Sequence, residues 1–381
     1  MQLVSMSAVT WDFPLRGRTR MLTESWLRRG QATTFVQVPS HRSALERLLR
    51  RREDAPVVRP WPIQPARRWP AVGEVALRRR AAKRARELRR QLDRHVSWDS
   101  AVALVVSPIW TPWLEHLPFR TVVYDCIDDL SVHVPDRRLL PIVSRWEDEL
   151  VARANGAIVS AGVLGAAIRA RRADLPLATV HNGVDAEAFR DAARREARPA
   201  DLPKPGGAPL VGFVGALYDW IDWPLVAQGV AALPGIDFAF VGPSSRSPRE
   251  LRELVPSANA VFLGPRPFAR VPAYVNAFDV CWVPFRRDAV GLSANPVKIY
   301  EYLALGRPVV STPVADPKSF EGLVTFGSGS DEIVAALRAA VAGVAGRDRE
   351  PVDRAARERF ADANSWDARA ADVARFAHSL A

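Results

Sequence analysis

Several short stretches of this chain gather residue types that could do chemistry. The first reads Gly291-Leu292-Ser293-Ala294-Asn295-Pro296-Val297-Lys298-Ile299-Tyr300-Glu301-Tyr302. Asparagine is a good helix N-cap and proline is favoured at the first helical position, so this spacing predicts a helix starting at Pro296 with Asn295 as its cap. Free backbone N–H groups and the helix dipole at such an end favour an anion such as a diphosphate. A loop over residues 291–294 would let that anion approach the backbone. Lys298 in the first turn opposes the dipole, a placement that a bound anion relieves. Glu301 follows three residues later on the same helix face. Its carboxylate can accept two hydroxyl hydrogen bonds, as from a ribose. The alternative is that Lys298 and Glu301 are only an i,i+3 surface pair.

A second stretch is Tyr124-Asp125-Cys126-Ile127-Asp128-Asp129, at the end of an apolar run. Carboxylates packed this closely repel one another. They fit general base work, orientation of a hydroxyl or charge balancing, or else the capping of a following helix. His133 lies close in sequence and could titrate near neutrality. Two glycine turns complete the set. Gly212-Phe213-Val214-Gly215-Ala216 ends a strand-like run but is not a dinucleotide fingerprint. Gly264-Pro265-Arg266-Pro267 is a similar loop, where Arg266 either meets an anion or only solvates the loop.

The hydrophobic pattern supplies elements to position these residues. Continuous apolar runs at 101–106 and 121–124 read as parallel strands buried on both faces. Further strands are expected at 3–8, 33–38, 156–160, 179–181, 210–214, 238–241, 260–263, 280–283 and 308–311. Helices are expected at 20–29, 77–92, 144–153, 223–233, 272–278, 296–305 and 331–344. The stretch 353–380 reads as helical with a break near Asn364-Ser365. Strand and helix alternate throughout, as in doubly wound α/β folds. Residues 54–72, rich in proline and arginine, read as an irregular connection. Residues 195–209 hold four prolines and two glycines without apolar periodicity, and mark the expected domain boundary.

At 381 residues the chain fits two domains better than one core. With 48% apolar and 25% charged residues it has a globular composition. No apolar run is long enough to cross a membrane, and the first residues lack the pattern of a signal peptide. Cys126 and Cys281 read as buried free thiols, which suits a reducing cytoplasm. No His/Cys cluster has metal-ligand spacing, so neither a metal nor a cofactor is expected. The formal charge is +11, carried mainly by arginine at Arg47, Arg50, Arg51, Arg52, Arg67, Arg68 and from Arg78 to Arg94. Such an excess is either a solvated surface or a face for anionic lipid, an anionic acceptor or nucleic acid. Along 77–92, the stripe Leu77, Ala81, Ala85, Leu88 and Leu92 either packs on the sheet or lies on lipid. It has no aromatic anchor, which weakens the second reading. The basic runs also lack the interleaved aromatics of a nucleic-acid reader, so no nucleic-acid partner is expected.

Together these motifs resemble the GT-B glycosyltransferases, in the large retaining group called family four, and most closely its cell-wall, capsule and teichuronic-acid-type subgroup. His181-Asn182-Gly183-Val184-Asp185 is similar to the signature that ends the family's first domain. The run from Asn295 to Val310 resembles its signature helix and following strand, with Phe278-Asp279-Val280 and Val283-Pro284 as the usual preceding strand. Ser365-Trp366 is similar to the lead into the last helix, and Trp11-Asp12 to a subgroup feature. The resemblance implies an α/β fold of two Rossmann-like domains facing across a cleft. They would be an acceptor-side domain at 1–195 and a nucleotide-sugar-binding domain at 196–362. A C-terminal helix at 363–381 would pack back on the first domain.

It further implies an enzyme of the hexosyltransferase type, retaining and metal-independent. The donor would be a nucleoside-diphosphate sugar, UDP-type rather than GDP-type. The acceptor would be a hydroxyl of a glycan, a lipid-linked glycan or a small molecule, in surface polysaccharide or glycoconjugate biosynthesis. The expected place is the cytoplasm, with a peripheral contact at the inner face of an anionic membrane. Among site residues, Glu301 would bind the ribose hydroxyls and the Ser293 region the donor sugar and phosphate. The Arg266 loop would lie beside the base, and Gly215 would line the diphosphate. Asp128 stands near where the family often places a catalytic-loop histidine, with Asp125 beside it as a second catalytic candidate. Two features depart from the pattern. Ser293 replaces the first of the family's two spaced glutamates, and the loop Leu217-Tyr218-Asp219-Trp220-Ile221-Asp222-Trp223 lacks its usual arginine and lysine. The rival readings are a nucleotide-sugar epimerase on the same fold and a non-enzymatic nucleic-acid binder.

Overall fold

The computed structural model describes residues 1–11, 16–38, 57–58, 73–129, 134, 137–204, 206–345 and 350–381. Asp12, His133 and the arginines at 47, 50–52, 67 and 68 lie outside the described residues. The chain divides into two compact units, Met1–His181 with Trp366–Ala381, and Asn182–Ser365. The change of unit thus falls between His181 and Asn182, not at 195/196. The reason is the helix Ala186–Arg195: its buried Phe189 and Ala193 belong to the core of the second unit.

The first unit is built on a seven-stranded sheet ordered β3-β2-β1-β4-β5-β6-β7. The strands are β1 (Gln2–Met6), β2 (Thr33–Val36), β3 (Val57–Val58), β4 (Ala101–Val105), β5 (Thr121–Cys126), β6 (Gly156–Val159) and β7 (Leu177–Thr179). All pairs are parallel. The central strands are buried on both faces, which is why they read as unbroken apolar runs. Connecting helices include Arg18–Arg28, Glu74–Leu92, Leu140–Arg153 and Gly162–Arg171. The last helix, Trp366–Ser379, joins this unit and packs on Arg18–Arg28. There Trp26 donates its indole N–H to the Ala370 carbonyl at 2.8 Å, and Arg28 pairs with Asp367 at 2.8 Å.

The second unit carries a six-stranded parallel sheet ordered β10-β9-β8-β11-β12-β13. Its strands are β8 (Leu210–Val214), β9 (Asp237–Val241), β10 (Ala260–Gly264), β11 (Val280–Val283), β12 (Val309–Ser311) and β13 (Val324–Phe326). Counted within the unit this is the 3-2-1-4-5-6 order of a Rossmann sheet. The expectation of two Rossmann-like α/β domains holds. Among the elements not anticipated are the short β3 and β13, the polar-capped helices Ala186–Arg195 and Pro248–Leu254, and the helices Thr111–Leu114 and Gly162–Arg171.

Candidate functional site

In an open parallel sheet ligands bind beyond the carboxyl ends of the strands, where the strand order reverses. In the second unit that place lies between β8 and β11. β8 leads into Gly215, and β11 leads toward the helix Val297–Ala304. Gly215 donates its N–H to the Val241 carbonyl at 2.9 Å. The ends of β8 and β9 meet so closely that a Cβ on Gly242 would stand 1.8 Å from the Gly215 carbonyl oxygen. Gly242 also has φ +150°, where side chains are strained. A Cβ on Gly215 would come 3.6 Å from Lys298 Cε, so the stem of Lys298 lies beside this turn.

The helix Val297–Ala304 begins one residue later than expected. Pro296, at φ −72° and ψ 118°, is the N-cap, and no side chain caps the end. Asn295 is unavailable as cap because its side chain is engaged elsewhere. Its Oδ1 accepts from the Asn182 N–H at 2.8 Å and the Tyr300 hydroxyl at 3.2 Å, while Asn182 Nδ2 donates to the Asn295 carbonyl at 2.6 Å. Asn295 Nδ2 is buried and has no hydrogen-bond partner among the described residues. Native proteins leave few such donors.

Lys298 Nζ and Glu301 Oε2 are 2.8 Å apart, with side chains 15% and 5% exposed. The surface-pair alternative is therefore overturned: this is a charge pair withdrawn from water, which costs desolvation that a surface pair avoids. Tyr302, next in the chain, is also buried. Its hydroxyl accepts from the Val214 N–H at 2.8 Å and so ties the helix to the end of β8. Sequence reasoning missed both Tyr302 and Asn182, although each adjoins or sits inside a motif already singled out.

Ser293 is placed differently from expectation. Residues 289–293 form a short helix, not an open loop, capped by Asp288, whose carboxylate accepts from the Gly291 N–H at 3.2 Å. The Ser293 hydroxyl donates to the Val290 carbonyl at 3.1 Å. Arg266 is held by Asp201 at 2.6 Å and by the Tyr274 hydroxyl at 2.9 Å. The bond to Asp201, then that to Tyr274, raises the Arg266 pKa. Burial would raise Asp201, but the hydrogen bonds from Arg266 and Tyr274 outweigh it and hold that carboxyl below its ordinary value.

At the same sheet edge a cavity of about 540 Å³ is lined by Asp219, Trp223, Arg246, Arg286, Arg287 and Asp288, among others. Neither Lys298 nor Glu301 lines it. Two of its three arginines are offset by carboxylates, Arg246 by Asp219 at 2.8 Å and Arg286 by Asp288 at 3.0 Å.

In the first unit the carboxylates after β5 separate in character. Asp125 is fully buried and bidentate to Arg18, whose Nε and Nη2 lie 3.1 and 3.2 Å from its two oxygens. Arg18 Nη1 also donates to the carbonyls of Val180 and His181 at 2.8 and 3.0 Å. Asp128 and Asp129 are half-buried in the loop that follows. Burial, followed by the nearby carboxylates of Glu147, Asp125 and Asp128, outweighs a hydrogen bond to Tyr124 and pushes the Cys126 thiol up to about 12. The structure therefore unites Gly215, Lys298 and Glu301 within the second unit, and Asp125 with Arg18 in the first. Arg18 was missed because its partner lies 107 residues away.

Residues 208–342 match the model of the glycosyl transferases group 1 family. The matched span contains Gly215, Arg266, Ser293, Lys298 and Glu301. The chain is 25% identical over 200 residues, 50% of each chain, to TuaH of Bacillus subtilis strain 168, named for teichuronic acid biosynthesis as a glycosyltransferase. It is 30% identical over 201 residues to D-inositol 3-phosphate glycosyltransferase of Mycobacterium marinum, covering 49% of this chain and 42% of that one. The chain thus spans about half the length of these curated relatives. In fold it superposes on α,α-trehalose 6-phosphate synthase from Burkholderia multivorans with TM-score 0.68 at 16% identity, covering 100% of this chain and 99% of that one.

Proposed function

We propose, for a chain that carries a group 1 glycosyl transferase domain on a GT-B-type fold, that it moves a sugar from a nucleoside-diphosphate donor to a hydroxyl acceptor. One observation carries the reading: the buried Lys298–Glu301 pair at the start of the Val297–Ala304 helix, beside the Gly215 turn. Every α-helix leaves its first N–H groups without intrahelical partners. Val297 and Lys298 stand at that position here. Asn295 Nδ2 adds an unsatisfied donor one residue before the cap. Such a group of donors suits a diphosphate.

In this reading Lys298 leaves Glu301 when the donor arrives and turns to the phosphates. Glu301 then accepts the two ribose hydroxyls. The diphosphate gains negative charge as the glycosidic bond breaks, and the helix N–H groups with Lys298 stabilise that charge where it develops. On this account transfer proceeds with retention and without a metal, from a UDP-type donor. Asp125 balances Arg18, which leaves Asp128 as the candidate to orient or deprotonate the acceptor hydroxyl. Gly215 lines the diphosphate. Ser293, its hydroxyl turned into its own helix, would contribute backbone, and Arg266, paired with Asp201, would shape the base side. The names of the relatives support a place in surface polysaccharide or glycoconjugate synthesis. The basic first unit supports a peripheral contact with an anionic membrane from the cytoplasmic side.

The test is incubation of the purified chain with UDP-sugars, with and without hydroxyl acceptors, followed by assay of free UDP and glycosylated product. Acceptor-dependent UDP release is expected. Isomerised donor sugar in the absence of any acceptor would replace the reading with an epimerase.

A further inference from the structure

Cations run in a line down the outside of the helix Glu74–Leu92. Leu77, Ala81, Ala85, Leu88 and Leu92 are buried and fix its inward face. At 3.6 residues per turn the opposite face is carried by Arg79, Lys83, Arg86 and Arg90, with Arg94 in the turn beyond and Arg80 and Arg89 flanking. All of these are exposed. None forms an ion pair among the described residues.

The other arginines of the helix are treated differently. Arg78 is held by Glu74 at 3.0 Å, by Glu149 at 2.6 Å and by Glu115, and Arg84 pairs with Glu87 at 3.3 Å. Carboxylates thus compensate Arg78 and Arg84 and leave the outward cations bare. From Arg79 to Arg94 the row extends about 22 Å at 1.5 Å per residue. Its neighbours stand within about 8–10 Å, the distance over which salt screens. Like charges at i,i+4 destabilise a helix, so an anionic partner would stabilise the row.

The chemistry of the face selects that partner. Between Arg79 and Arg94 the exposed residues are arginines, one lysine and Asp93. The face offers no amide or hydroxyl to read base edges and no aromatic ring on which bases could stack. Apart from Asp93 it presents long flexible cations in a line, which suits a flat anionic plane. The apolar stripe is consumed by the protein core, so this helix does not insert, and attraction must be electrostatic.

We propose that the row Arg79, Lys83, Arg86, Arg90 and Arg94 is a docking face for an anionic lipid bilayer. This rests on the membrane contact read above and names the surface that makes it. The test is co-sedimentation of the full chain with phosphatidylglycerol-containing and pure phosphatidylcholine vesicles, using wild type and the combined variant R79Q/R86Q/R90Q. Wild type is expected to bind only the anionic vesicles at low salt and to leave them as salt rises. The variant is expected to lose on the order of a hundredfold in partitioning, at about fivefold per cation. Its melting temperature and UDP affinity should be retained, since these side chains touch neither core nor donor site. Equal binding of the variant would overturn the assignment of this face and leave the membrane contact to another. Failure of wild type to bind would remove the membrane contact itself. A single-stranded oligonucleotide that displaces wild type from vesicles at matched phosphate concentration would transfer the row to nucleic acid.

Discussion

Two ion pairs that differ in geometry and burial predict opposite phenotypes. Asp125 and Arg18 are both almost fully withdrawn from water and are further tied to two carbonyls, which is the arrangement of a structural clasp. Asp125→Asn should therefore cost about 3–5 kcal/mol of stability, because Arg18 is left buried without its partner. A downward shift of the urea midpoint checks this. A variant of wild-type stability that has lost only activity would return Asp125 to catalysis. The thiols give a second prediction. Cys126 is pushed up to about 12, chiefly by burial, and burial raises Cys281 further. Neither should react with a thiol reagent at neutral pH until the chain unfolds, as native and denatured thiol titrations would show. At this scale the sequence was legible only where partners are neighbours. The Lys298–Glu301 pairing could be read from its i,i+3 spacing, though not its burial. The capture of the Asn295 side chain by Asn182, 113 residues away, could not.

Strands and helices were more legible, because burial on both faces of a parallel sheet leaves unbroken apolar runs and a helix leaves its 3.6-residue period. β8 and β11 have the expected bounds. What escaped includes elements defined by few residues: β13 spans three, and where a loop is expected at 291–294 the cap at Asp288 starts a helix over Ala289–Ser293. Element contacts carry two predictions. A Cβ at Gly242 has no room beside the Gly215 carbonyl, and its φ is strained. Gly242→Ala should destabilise the second unit by about 1–3 kcal/mol or more and weaken nucleotide binding by displacing the Gly215 turn. Denaturant midpoints and UDP titration check both. Asp201 clips the segment before β8 to the helix Val271–Ala277 through Arg266 and Tyr274. Its pKa is depressed in the folded state, so its contribution is present above the ordinary carboxylate range and lost as pH falls through the lowered value. Asp201→Asn should lower the melting temperature at neutral pH and bring it toward that of wild type in acid. A difference independent of pH would show that the charge is not what holds the clip.

For the whole molecule, length and alternation foretold two Rossmann-like sheets, but composition misplaced the junction. Proline and glycine mark residues 195–209, whereas the chain changes unit at His181/Asn182 because the amphipathic Ala186–Arg195 helix buries Phe189 in the second core. Turn-forming composition reports local backbone, while unit membership is decided by where an apolar face is buried. The central claim concerns one ligand on the second unit, and binding to the native state alone must also stabilise it. Calorimetric titration of UDP into wild type and Glu301→Gln, with thermal melts of both as the control for folding, tests it most directly. Wild type should bind UDP, and the variant should bind about ten- to a hundredfold more weakly, at about 1.5–3 kcal/mol for hydrogen bonds to a charged group, while still melting cooperatively. Equal affinity of a well-folded variant, or no binding of UDP by wild type, would contradict the account.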